Sequence, residues 1–177
     1  MRVIAGSLGG RNFDSPKGHR THPMSEKARG GLFSALGDVS GLTVLDAFSG
    51  SGAISFEAIS RGAKHVTSID IDTSAINVIK NSAKELKVTD KIKVIRANVS
   101  GWSDNNTDKN FDIIICDPPF DQIKITLLQK LTMHLNKEGV FVVNIPGTLE
   151  PFDLKTLEIV KNKKYGDAQL VFYKKIR

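Results

Sequence analysis

Leu42-Thr43-Val44-Leu45-Asp46-Ala47-Phe48-Ser49-Gly50-Ser51-Gly52, running on into the amphipathic Ala53–Arg61, is the stretch that decides the fold. The β-branched opening reads as a short strand ending near 46, the glycine-rich middle as a turn, and the rest as a helix over 52–61. Strand, glycine turn and helix in this order form the first crossover of a doubly wound nucleotide-binding fold. Downstream, strands are predicted near 65–70, 92–97, 111–117 and 139–145, and helices near 73–87 and 123–136. The Asp- and Asn-rich Trp102–Lys109 reads as a solvated loop or short helix. Such alternation implies a mostly parallel sheet with helices on both faces. The tail breaks the rhythm: 155–161 and 168–175 read as strands joined by a turn over 162–167, hence antiparallel. Upstream, 25–36 reads as a helix capped by Ser25, and 1–14 as a β-hairpin around Gly9-Gly10. The expected architecture is α/β and Rossmann-like: a doubly wound, mostly parallel sheet with an antiparallel C-terminal hairpin and a short N-terminal β-hairpin extension. One domain over 1–177 is expected, with the extension over 1–37 and the core over 38–177.

The turn's chemistry narrows its ligand. Its pattern is D-x-F-x-G-x-G, not the dinucleotide G-x-G-x-x-G. A pyrophosphate wants N–H groups, not the carboxylate of Asp46, whereas S-adenosylmethionine carries a cationic amine and sulfonium that a carboxylate suits. The glycines let backbone approach a ligand closely. Asp70 falls 18 residues after Gly52, at the tip of the second strand, where a carboxylate can accept both hydroxyls of a ribose. Asp72 is expected to open the next helix, with Thr73 as the other candidate cap. The third strand ends at Asn98, whose amide can meet an adenine amine while the Val99 N–H meets the ring. The candidate cofactor set is therefore Asp46, Phe48, Gly50, Gly52, Asp70, Ile71, Asn98 and Val99.

The fourth strand, Phe111-Asp112-Ile113-Ile114-Ile115-Cys116, runs into Asp117-Pro118-Pro119-Phe120. Proline has no N–H for a sheet ladder and fixes φ, so the strand must stop in a rigid turn. The turn leaves carbonyls free beside a carboxylate and an aromatic face. That combination receives a flat base bearing an exocyclic amine: oxygens accept its N–H groups and the ring stacks on its face. Asp117, Pro118, Pro119 and Phe120 are the candidate catalytic residues.

Composition bounds the rest. The chain has 177 residues, 40% of them hydrophobic, and a net charge of +6. Residues 1–29 hold six Lys and Arg against two acids, residues 155–177 seven against two, and the segment between twelve against fifteen. Basic ends around a mildly acidic middle suit a phosphate backbone. Candidate RNA contacts are Arg11, Lys17, Arg20, His22, Lys27 and Arg29; the C-terminal lysines also read as a solvated face. The single cysteine, Cys116, can form no internal disulfide and reads as a small core residue, consistent with a reducing cytosol. The start of the chain has no long apolar segment and no stretch reaches spanning length, so a cytoplasmic location is expected, with no membrane partner. His19, His22, His65 and His134 lack metal-ligand spacing, and no metal is expected.

These motifs resemble those of the class I S-adenosylmethionine-dependent methyltransferases, and more closely the bacterial RsmD family, which methylates guanine N2 in small-subunit (16S) ribosomal RNA. Arg2-Val3-Ile4-Ala5-Gly6, Gly10-Arg11 and Pro16-Lys17-Gly18 resemble the family's opening hairpin. Thr21-His22-Pro23-Met24, with Lys27, Arg29 and Leu32-Phe33, resembles its T-R-P-T segment and first helix. Val44–Gly52 resembles its cofactor loop, Asp117–Phe120 its D-P-P-[YF] segment, and Tyr165-Gly166-Asp167 its closing hairpin. Departures are His22, Met24, Gly30-Gly31 in the first helix, and Asn98 where the family has Asp. The resemblance implies methyl transfer from S-adenosylmethionine, leaving S-adenosylhomocysteine, by a monomer acting on ribosomal RNA in an assembled or assembling particle. D-P-P-[YF] is shared with enzymes of adenine N6 and glutamine N5, so those targets stay open, as does a non-catalytic RNA-binding assembly factor. A DNA adenine methyltransferase is disfavoured because the length leaves no room for a recognition domain. A nicotinamide oxidoreductase is disfavoured by the acid in the glycine turn.

Overall fold

The computed structural model describes residues 1–17 and 23–176. Seven strands make one sheet in the order β3-β2-β1-β4-β5-β7-β6. They are β1 (Thr43–Asp46), β2 (His65–Asp70), β3 (Ile92–Arg96), β4 (Phe111–Cys116), β5 (Leu135–Pro146), β6 (Leu157–Tyr165) and β7 (Ala168–Lys175). β1 to β5 pair in parallel, and β7 runs antiparallel to both β5 and β6. Strand order reverses between β1 and β4. That switch point is where a doubly wound sheet opens a crevice at the carboxyl ends of its strands.

Side-chain alternation sorts the core into two layers. Ile113 and Ile115 of β4, Val142 of β5, and Leu170 and Phe172 of β7 join α1 (Glu26–Leu36), α2 (Ala53–Ser60) and α3 (Thr73–Glu85) on one face. Ile114 and Cys116, Phe141 and Val143, and Val171 and Tyr173 join α4 (Val99–Asp104) and α5 (Ile125–Leu131) on the other. Burial on both faces explains why β4 and β5 read as continuous apolar runs rather than alternating ones. Each fully buried aliphatic or aromatic side chain contributes about 1.5–3 kcal/mol. No helix among the described residues is long and apolar enough to cross a membrane.

Element boundaries differ from the expected ones where local chemistry competes with periodicity. α5 stops at Leu131, a 3-10 turn covers Thr132–His134, and β5 starts at Leu135 instead of near 139. The polar Asn136-Lys137-Glu138 hides that start, because it bulges between the pairs Phe111–Leu135 and Ile113–Val140. Gly139 closes the bulge: a Cβ there would stand 2.8 Å from the Asp112 carbonyl oxygen. β6 runs on to Tyr165, so the expected six-residue turn shrinks to Gly166-Asp167, with Gly166 at φ +62. β6 is an edge strand, and its exposed Lys163 and Lys164 read as turn by composition. Charged edges of this kind deter pairing with another sheet. Residues 99–104 form a short helix, and Asp72 rather than Thr73 caps α3, accepting from the Ser74 and Ala75 N–H groups.

The N-terminal arm is less regular than a hairpin. One antiparallel bridge, Arg2–Asn12, and flanking backbone bonds such as Val3 N to Arg11 O join its two sides. Its stability comes from docking. Val3, Leu8 and Phe13 bury in the layer of α1–α3, and the fully buried Glu57 of α2 holds the arm's backbone. Its carboxylate accepts from the N–H groups of Ile4 (2.8 Å) and Ala5 (3.1 Å) and from Arg61 Nε (2.8 Å). Arg29 is also fully buried, with Nε 3.7 Å from Glu57 and Nη2 donating to the Arg2 carbonyl at 2.6 Å. Gly31, poor by helix propensity, has a packing reason: a Cβ there would collide with the Tyr165 hydroxyl. The glycine lets the end of β6 press against α1.

Glu57→Ala is expected to lower the unfolding free energy by about 3–5 kcal/mol, because it leaves Arg29 buried and uncompensated. Hydrogen exchange at the Ile4 and Ala5 amides should speed up more than exchange in β4. Unchanged exchange at those amides would mean that the apolar contacts alone hold the arm.

Candidate active site

The tips of β3, β2, β1, β4 and β5 stand side by side at the carboxyl edge of the sheet. After β1 the chain turns sharply. Ala47 N bonds the Ile115 carbonyl and Ser49 N the Ile69 carbonyl, so the turn is wedged between the strands on either side. The Ser49 hydroxyl, facing the Asp46 and Ile69 carbonyls at 2.9 and 3.1 Å, fastens it further. Gly52, the N-cap of α2, has φ +79, and a Cβ there would meet Ile79 and Phe56 at 3.0 Å. Gly50, at φ +52, donates its N–H to Asp70 Oδ2 at 2.8 Å.

Three carboxylates share this edge in three environments. Asp46 is completely buried below the turn. Its Oδ2 accepts from Ser55 Oγ at 2.6 Å, and Ser55 in turn meets Ser68 at 2.6 Å, while its Oδ1 has no partner. Burial raises its pKa to about 7, against the Ser55 hydrogen bond and with help from the negative charges of Asp117 and Asp70. Asp70 is half-buried, with Oδ2 taking the Gly50 N–H and Oδ1 the Asp72 N–H at 2.9 Å. Asp117 follows β4, and burial raises its pKa to about 6 against a hydrogen bond from Asn144. Asn144 Nδ2 donates to Asp117 Oδ1 at 2.8 Å. Pro118 is buried and Pro119 half-buried, and the Phe120 ring stands 44% exposed at the start of a 3-10 turn, Phe120–Gln122.

The remaining residues of the expected cofactor set line the same edge. Phe48 is half-buried in the turn, and Ile71 is 63% exposed directly after Asp70. Asn98 sits at the tip of β3, where its Oδ1 caps α4 by accepting from the Ser100 and Gly101 N–H groups. That oxygen is therefore already engaged within the fold, and Val99, the first residue of α4, is buried.

The expected RNA contacts do not form one group. Lys17 and Lys27 are exposed. Arg29 is a correction: it is buried against Glu57 and the Arg2 carbonyl, so it offers no surface to RNA. Arg11 donates to the Glu85 carbonyl (3.0 Å) and the Leu86 carbonyl (3.5 Å), which places it at the end of α3, on the amino edge away from the strand tips. A basic side chain there satisfies a helix C-terminus. Arg20 and His22 lie outside the described residues.

Two site residues escaped the sequence reading. Asn144 interrupts the apolar run Val140-Phe141-Val142-Val143, and is buried with Oδ1 unpartnered. Gln169, also buried, donates to the Pro146 and Leu149 carbonyls and pins the loop leaving β5. A lone amide inside an apolar strand is the signal both carry, since burying one without hydrogen bonds costs free energy. His134 serves the fold. A carbonyl only accepts, so Nδ1–H donates to the Lys109 carbonyl and Nε2 accepts from the Ser103 hydroxyl, each at 2.7 Å.

Residues 1–174 match the family model described as conserved hypothetical protein 95. YlbH of Bacillus subtilis (strain 168) is 32% identical over 183 residues, covering 99% of each chain. Ribosomal RNA small subunit methyltransferase D of Buchnera aphidicola subsp. Acyrthosiphon pisum is 33% identical over 121 residues, covering 68% of this chain and 63% of that relative. Among solved structures, YhhF of Escherichia coli superposes with a TM-score of 0.88 at 25% identity, over 99% of this chain and 97% of that one.

A carboxyl group raised to about 7 in the folded protein, far above its unfolded value near 4, stabilises the fold at low pH and loses that contribution as pH rises through about 7. Asp46→Asn removes this loss. Between pH 4 and pH 8 its unfolding free energy, measured in urea, should therefore gain on the wild type by about 4 kcal/mol. Parallel pH curves would mean that Asp46 does not titrate in this range.

Proposed function

Because the chain belongs to the RsmD family of methyltransferases, we propose that it transfers a methyl group from S-adenosylmethionine to the exocyclic N2 amine of a guanine in small-subunit ribosomal RNA. The observation that carries the reading is the Asp117 carboxylate beside the exposed Phe120 ring, one strand from the glycine turn.

The residues along the carboxyl edge fit such a donor. Asp46 Oδ1, buried and without a partner, lies under the turn where a cationic amine would offset its burial. Asp70, half-exposed, has acceptor capacity left for ribose hydroxyls beyond its two backbone bonds. Ile71 offers an exposed apolar surface for an adenine face. When bound, the donor supplies a methyl group already activated on its sulfonium.

What the protein adds is position and charge. The lone pair of a guanine amine is delocalised into the ring. Hydrogen bonds from that amine to the Asp117 carboxylate and the Pro118 carbonyl aim the lone pair along the line of transfer and stabilise the positive charge that develops on nitrogen. Pro118 and Pro119 hold those acceptors rigid. Phe120 stacks on the base, which must be unpaired or flipped out because N2 is enclosed in a paired helix. Asn144 counteracts the burial of Asp117 and favours its ionised form. As the resemblance to the family implies, the substrate in this reading is an assembled or assembling ribosomal particle.

The direct experiment supplies labelled S-adenosylmethionine and small ribosomal subunits lacking the modification, then digests the RNA for nucleoside mass spectrometry. Label should appear in N2-methylguanosine; label in N6-methyladenosine, or in protein, would move the target to another amine. Asp117→Ala should cut turnover by about 100-fold or more, the scale of a lost electrostatic partner in the transition state, with calorimetric affinity for S-adenosylmethionine nearly unchanged. In the wild type, turnover should rise with pH through about 6 as Asp117 ionises. A flat profile from pH 5 to 8 would remove that ionisation from the reaction. Asp70→Ala should instead weaken cofactor binding first.

A further inference from the structure

The buried amide of Asn144 has one half used and one half idle. A carboxylate only accepts hydrogen bonds, so the amide must turn its NH2 towards Asp117, as the 2.8 Å contact has it. That orientation leaves Asn144 Oδ1 buried with no donor. An acceptor left so is unfavourable and persists where something else satisfies it. Its location is informative. Cys116 pairs with Val143, so Asn144 on β5 lies in register with Asp117 at the tip of β4. Asp117 and Asn144 thus stand as hydrogen-bonded neighbours at adjacent strand tips, each with one carbonyl or carboxylate oxygen outside their shared bond, and the Phe120 segment follows directly after Asp117.

Two adjacent acceptors match two adjacent donors. The Watson–Crick edge of guanine presents N1–H next to the N2 amine, whereas adenine presents an acceptor, N1, next to its N6 amine. We propose that Asn144 reads the ring edge of the target base, its side-chain carbonyl accepting the N1–H of a guanine whose 2-amine is held by Asp117. The assignment rests on the guanine reading given above and deepens it. Asp117 and Pro118 hold the reacting amine, which adenine also offers, and Asn144 supplies the contact that adenine cannot make. An adenine placed with its N6 amine on Asp117 sets its bare N1 against the Asn144 oxygen, acceptor against acceptor. Asn144 thereby has two roles, holding Asp117 through Nδ2 and selecting the base through Oδ1.

The test compares ribosomal RNA carrying guanine with RNA carrying 2-aminopurine at the position the wild-type enzyme labels. 2-Aminopurine keeps the 2-amine but has a bare N1. The wild type should prefer guanine in kcat/KM by about 100-fold or more, as sites built around a substrate N–H do. Asn144→Leu should reduce that preference by about tenfold or more, while calorimetric affinity for S-adenosylmethionine stays unchanged. Asn144→Asp keeps an acceptor and should keep the preference. It should also move the acid limb of the pH–rate profile upward, because two adjacent carboxylates cannot both ionise readily. A general loss of fold would move neither reading in this pattern. N2-methylguanosine formed by Asn144→Leu with undiminished preference for guanine overturns the assignment alone. Wild-type label in N6-methyladenosine overturns the guanine reading and the assignment with it.

Discussion

A sheet covered on both faces has only its strand tips left for polar chemistry. Seven strands here are sandwiched between α1–α3 and the N-terminal arm on one side and α4–α5 on the other, and the side chains of β4, β5 and β7 are consumed alternately by the two layers. The polar groups of the candidate site therefore crowd onto one edge: Asp46, Asp70, Asn98, Asp117 and Asn144 each end, or nearly end, a parallel strand. Reversal of strand order between β1 and β4 opens that edge instead of covering it with a crossover helix. The proposed donor pocket and base pocket lie on the two sides of that reversal.

Crowding acids onto an apolar edge is unfavourable, and the structure uses few groups to offset it. Asp46 gains one serine hydroxyl, Asp117 one amide, and Asp70 two backbone N–H groups. Asp46 and Asp117 have one such partner each, and burial raises their pKa values to about 7 and about 6. A fold selected for stability alone would replace them with well-packed apolar residues. In the proposed reading, a cationic ligand at Asp46 and the donor edge of a base at Asp117 and Asn144 would return what burial removed, and stability given up in the free protein would become binding free energy in the complex.

The basic N-terminal segment divides by structural role. Arg29 and Arg11 serve the fold, one by closing a buried ion cluster with Glu57 and the other by ending α3. Lys17 and Lys27 remain on the surface. Arg11 uses its planar fork on two carbonyls, and Arg29 sets one nitrogen on a carbonyl beside the Glu57 carboxylate, whereas a lysine is a compact, strongly hydrated charge. Net charge of a segment therefore overstates its electrostatic footprint whenever part of that charge is buried.

The amino-acid sequence by itself determined the alternation of strands and helices, the glycine turn after β1, the break after β4 and the antiparallel tail. Each rests on a local rule: β-branched runs extend, glycine permits positive φ, proline ends a ladder, and two successive strands with a short link pair antiparallel. Asp46, Asp70 and Asp117 were legible because each stands where an apolar strand stops. Tertiary structure alone decided what depends on partners distant in the chain. Glu57 is held by residues more than fifty positions away, Gly31 packs against the Tyr165 side chain, and Arg29 is buried beneath the N-terminal arm. Asn144 meets Asp117 across 27 residues, through a register that a bulge in β5 shifts before it is set. Local propensity acts over a turn or two of chain, so it can mark where a polar group will sit. It cannot mark which of its atoms will be left without a partner.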